Sequence, residues 1–107
     1  MKVIHQNFFP FFFLLKQFGA VSRRTAIAMA EGAMHGAGVN VAVSITGVAG
    51  PNGGTEEKPV GLVHFAVATE EETRHLQKNY DPHWTRDQIR QASVVDALKL
   101  VLKAIKP

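Results

Sequence analysis

The chain has 107 residues, of which 46% are apolar and 20% charged, with a formal net charge of +3. That length holds a single domain whose folding buries somewhat over about 60% of the unfolded surface, and this composition excludes intrinsic disorder. Cysteine is absent, which excludes disulfide scaffolds, cysteine-ligated zinc and thiol nucleophiles and fits a reducing compartment.

Six of the seven phenylalanines fall between Phe8 and Phe18. The run Phe8 to Leu15 is far shorter than the about 20 residues that span a bilayer, so no membrane association is expected. Lys2 ahead of this run and Ala20-Val21-Ser22 after it loosely imitate a signal peptide. However, Pro10 interrupts the run and Lys16-Gln17 follows it directly, so a cytoplasmic protein is expected. Residues 1–13 read as a Phe-rich N-terminal segment and 14–107 as the domain proper.

Ser22 has the side chain of a helix N-cap, and Ala26, Ile27, Ala30, Ala33, Met34 and Ala37 follow as an apolar stripe at helical spacing. Gly36 and Gly38 are expected to end that helix. Arg23 and Arg24 stand at the positive end of its dipole, a mildly unfavourable place. Val39 to Thr46 reads as a strand. Its alternate residues are nearly all small or apolar, which predicts cover on both faces, as at the centre of an α/β sheet.

A loop with four glycines, Gly47 to Thr55, comes next, then a strand over Leu62 to Thr69. Glu70-Glu71-Glu72 makes a polar turn, and Thr73 to Tyr80 reads as an antiparallel edge strand. Asp81-Pro82-His83-Trp84 breaks the pattern. Thr85 and Gln88 form a capping box for a last helix, whose buried side is expected to hold Ile89, Ala92, Ala97, Leu98, Val101, Ala104 and Ile105. The order helix, three strands, helix indicates a layered α/β domain.

Chemistry is most readily placed in the glycine loop, because ligands of open α/β sheets gather beyond the C-terminal ends of strands. Glycines there let backbone N–H groups approach an anion, and Thr46 offers a hydroxyl. The loop is neither a dinucleotide fingerprint nor a Walker loop, and tight turns alone would also call for glycine. Lys58 can pair with phosphate, though a solvated loop lysine is the commoner case. Arg86 and Arg90, one turn apart at the start of the last helix, could share one anion or be plain surface arginines. His64 and His75 could face one another across a hairpin, but no metal-ligand spacing is present and no metal is expected. No Ser-His-Asp arrangement is legible, and scattered lysines and arginines give no nucleic-acid face.

Several segments occur together in the order and spacing of one family: Gly19 to Ser22, Met29 to Ala33, the run Val41 to Gly54, Lys58-Pro59-Val60-Gly61, and Arg86 with Ile89-Arg90. From about Leu14 to its end the chain resembles the CinA C-terminal domain, the nicotinamide-nucleotide amidohydrolases. The resemblance implies a three-layer α/β/α sandwich, here incomplete at its N-terminus. It also implies hydrolysis of nicotinamide mononucleotide to nicotinic acid mononucleotide and ammonia, with no metal or cofactor. The family's serine nucleophile lies in a Ser-Cys-Thr-Gly-Gly motif, which a chain without cysteine does not contain.

What carries over is the binding half. By resemblance Thr46, Gly47, Gly50, Gly53, Gly54, Arg86 and Arg90 hold the nucleotide, while the catalytic residues are not identified. Departures from the family pattern are Arg23-Arg24 in place of acidic residues after the cap, Asn40 in place of an acid before the strand, and Pro82-His83-Trp84 in place of a glycine-containing approach to Arg86. A homo-oligomer is expected. A catalytically silent binding or assembly module is the alternative reading.

Overall fold

A computed structural model describes residues 19–105. The Phe-rich segment and the expectations attached to it lie outside the described residues. The elements are α1 (Arg23–Ala37), β1 (Val41–Gly47), β2 (Leu62–Thr69), β3 (Thr73–Asn79) and α2 (Arg86–Ile105). The strands form one antiparallel sheet in the order β1-β2-β3. Each face of the sheet carries one helix, giving the α/β/α layering.

Local chemistry sets the helix ends. Ser22 is extended, and its hydroxyl accepts from the Thr25 N–H at 3.1 Å. At the other end Gly38 adopts φ 66°, and its N–H reaches the Met34 carbonyl. Gly36 stays helical, so Gly38 alone is the stop: only the left-handed backbone turns the chain, and Gly38 adopts it. At α2 the capping box is reciprocal. Thr85 N–H donates to Gln88 Oε1 at 2.8 Å, and Gln88 N–H donates to Thr85 Oγ1 at 3.1 Å.

Packing divides between two clusters. Ala26, Ala30 and Met34, one turn apart on α1, pack on Ala66 and Ala68 of β2, where small side chains let helix and sheet approach closely. On the opposite face Val63 and Phe65 of β2 lie beneath Ile89 and Ala97 of α2. Ala33 and Ala37 fall outside the α1 stripe and are exposed.

The strand at the centre is β2, not the first strand as the sequence suggests. Leu62 to Ala68 are buried without a break, because β2 has a strand on each side and a helix on each face. β1 begins at Val41 and lies at the edge of the described sheet, with Val43 42% and Ile45 40% exposed. Leu98 and Ile105, expected on the buried side of α2, are 59% and 52% exposed. The reason is shared: the α2 face carrying Val94, Leu98 and Leu102 runs past β1 with nothing among the described residues above it. No helix of the described residues is long and apolar enough to cross a membrane.

Candidate functional site

β1 delivers the glycine loop. Ser44 and Thr46 share the β1 face toward α1, and each donates its hydroxyl hydrogen to a backbone carbonyl there. Ser44 Oγ reaches Ala26 at 2.5 Å, and Thr46 Oγ1 reaches Ala20 at 2.6 Å. These bonds fix the approach to α1 and leave the Thr46 oxygen able only to accept from a ligand. Beyond Thr46 the strand pairing continues into the loop, with Val48 N–H on Leu62 O at 2.9 Å and Gly61 N–H on Val48 O at 2.8 Å.

All four loop glycines answer to geometry, through a close contact or a positive φ. A Cβ at Gly47 would lie 2.7 Å from a Val63 methyl and 2.8 Å from the Leu62 carbonyl oxygen. Gly50 combines φ 78° with a would-be Cβ 2.6 Å from Val60. Gly53 and Gly54 are exposed, yet Gly53 has φ 95° and a Cβ at Gly54 would lie 2.8 Å from the Val60 backbone nitrogen. Packing against Val60 and Val63 thus accounts for part of the glycine content, as turn chemistry alone would suggest.

The first residue of α2 reaches back to this loop. Arg86 donates from a guanidinium nitrogen to the Gly50 carbonyl at 3.1 Å, a contact spanning 36 residues of chain. One turn on, Arg90 lines a cleft of about 240 Å³ together with Ile45, Gly47, Ala49, Ile89 and Ser93. The structure therefore brings Gly47, Gly50, Arg86 and Arg90 to one end of the sheet. Of the expected residues only Gly47 and Arg90 line the cleft itself; Gly50 and Arg86 lie beside it, Gly53 and Gly54 lie outside its lining, and Thr46 is on the opposite face, toward α1. The apolar contributors Ile45 and Ala49 carry no sequence signal of a site, since an exposed apolar wall forms only when β1 and α2 meet.

A second group lies on the α1 face of the sheet. His64 and His75 face one another across β2 and β3, Nδ1 to Nε2 at 2.9 Å, so one ring donates and the other accepts. Burial lowers the pKa of both. The Lys58 charge adds to this at His64, and the His64 and Arg23 charges add to it at His75. Lys58 itself is half-buried, with Nζ close to the Cα of Gly19. No group of three potential metal ligands occurs among the described residues.

The model of the CinA C-terminal domain matches residues 13–105. This chain belongs to that family. A CinA-like protein of Synechococcus sp. (strain RCC307) is 53% identical over 88 residues, covering 82% of this chain and 21% of that protein. A CinA-like protein of Leptospira borgpetersenii is 41% identical over 92 residues, 86% of this chain and 22% of the relative. Among solved structures, the competence/damage inducible protein CihA of Agrobacterium tumefaciens superposes with a TM-score of 0.83 at 44% identity. That match covers 87% of this chain and 56% of that one. A CinA superfamily protein of Escherichia coli gives 0.78 at 29% identity, covering 86% and 52%. The chain thus spans about a fifth of its curated CinA relatives and about half of each solved CinA structure. The glycine loop, Lys58 and both arginines all lie inside the matched stretch.

Proposed function

We propose that this chain carries the substrate-binding half of a nicotinamide-nucleotide amidohydrolase. The reaction of the complete domain adds water to the carboxamide of nicotinamide mononucleotide, releasing ammonia and leaving nicotinic acid mononucleotide. The Arg86 contact to Gly50, with Arg90 one turn along the same helix, carries the reading. Two guanidinium groups and a helix N-terminus meet a loop whose backbone can come close to a ligand, which is the combination a nucleotide phosphate selects. In this reading Gly47, Gly50, Gly53 and Gly54 bound the cradle and Arg86 and Arg90 neutralise the phosphate, while Thr46, turned toward α1, stands outside it. No metal or cofactor is required, and the protein acts in the cytoplasm. The Ser-Cys-Thr-Gly-Gly motif is not within these 107 residues, so the chain by itself binds without turning over.

Titration calorimetry with nicotinic acid mononucleotide tests this directly. Saturable heat is expected, weakened by Arg86→Ala, and a chain that gives none overturns the assignment. Ammonia release from nicotinamide mononucleotide should stay at background with the chain alone; robust turnover would mean that the nucleophile is present after all.

A second role is favoured by one observation, the exposed apolar row Val43, Ile45, Val94, Leu98 and Leu102 along β1 and α2. Such a row is an association surface, and self-association of this chain belongs to the same proposal.

A further inference from the structure

Helix α2 separates two clefts. Ile89, Arg90 and Ser93 face the glycine loop, whereas Gln88, Gln91 and Asp96 lie on the other flank with Tyr80 and Trp84 around a cleft of about 450 Å³. That volume is within the range of small-molecule sites. The turn before α2 builds one wall. His83 N–H donates to Asp81 Oδ1 at 2.8 Å and Trp84 N–H to Asp81 O at 3.1 Å, which sets the indole against Tyr80. The two rings stack with centroids 5.8 Å apart and planes 21° from parallel. Trp84 nevertheless remains 42% exposed.

Asp96 forms the opposite wall. Its Oδ2 accepts from the Tyr80 hydroxyl. Burial, and then the hydrogen bond and charge of Asp96, raise the Tyr80 pKa, so the phenol remains a donor at neutral pH. No lysine, arginine or histidine among the described residues forms an ion pair with Asp96. A half-buried carboxylate thus faces the same cleft as a stacked indole, with two amide side chains beside it.

A carboxylate repels anionic ligands, and the negative face of an aromatic ring attracts cations that shed water easily. Small inorganic cations hold their water too firmly to use the ring. We propose that the cleft between Trp84 and Asp96 binds a small organic cation of the quaternary-ammonium class, separately from the nucleotide site on the other flank of α2.

Trp84 is the only tryptophan of the chain, so its fluorescence reports directly on the cleft. Choline at fixed ionic strength is expected to change that emission saturably, and the uncharged isostere 3,3-dimethyl-1-butanol is expected not to. Asp96→Asn keeps an acceptor for Tyr80 and should weaken choline by about tenfold with the far-UV circular dichroism unchanged. Arg86→Ala should leave choline binding intact, which separates this site from the nucleotide cradle. No saturable change, equal binding of the isostere, or unchanged affinity in Asp96→Asn would each overturn the proposal.

Discussion

The Arg86 guanidinium is the group on which loop and helix most directly depend. Its bond to the Gly50 carbonyl satisfies a buried residue that has an apolar neighbour, Val60, against its Cα. Arg86→Ala removes that donor and should destabilise the fold by about 1 kcal/mol in urea titrations. The same change should weaken nicotinic acid mononucleotide by about tenfold or more in calorimetry, because a charge-assisted contact is lost. Arg86→Lys should recover part of the affinity and less of the loop order, since a lysine offers no planar fork. His64 and His75 make a separate residue-level case. Their pKa values are lowered in the fold by burial and by neighbouring positive charge. Above about pH 6.5, the ordinary histidine value, both states are neutral and the pair costs nothing. Below it the unfolded chain takes up protons that the folded pair resists, so stability falls as pH drops through the folded values. Melting temperature should therefore decline between about pH 7 and 5, and His75→Gln should flatten that slope. An unchanged slope would mean that the pair is not the titrating group.

At the scale of elements, the boundaries were legible because they are written in local chemistry. Ser22, Gly38, and Thr85 with Gln88 each act within four residues, and the structure uses all of them as caps. Thr85→Ala should cost about 1 kcal/mol by removing one arm of the capping box. Gly38→Ala should cost about 1 kcal/mol for the left-handed backbone at φ 66°, where open space around a Cβ gives no steric relief or penalty. Both are checked by chemical denaturation. Burial of whole elements was less legible. β1 and β2 are both runs of small and apolar residues, and nothing local says which of them has neighbours on both sides. Phe65→Ala beneath α2 should be the costlier core change, about 3–5 kcal/mol. Truncation of Val43 on exposed β1 should cost far less.

At the scale of the molecule, the described fold covers one side of its sheet more completely than the other. Small residues seat α1 closely over β2, whereas beside α2 the side chains of Val43, Ile45, Leu98 and Leu102 stay in solvent. If that row joins copies of the chain, the mass measured by light scattering should rise with concentration, and Leu98→Glu should return it to the monomer. Leu98 is 59% exposed, so the substitution leaves the fold intact and isolates the association. A mass that stays monomeric at all concentrations would remove self-association from the proposed function.

The sequence by itself determined the family, the strands, the caps and the place of the glycine loop, because motif spacing, alternation and capping are encoded within short stretches of chain. The resemblance also named Thr46 and the two arginines in advance. Only the tertiary structure decided that Arg86 holds Gly50, that the Thr46 hydroxyl donates to Ala20, and that β2 rather than β1 is the central strand. The two hydrogen bonds join segments 36 and 26 residues apart, and the central place of β2 depends on which strands pair with it. A side chain's local pattern states that it is polar or apolar, and packing alone decides what it touches.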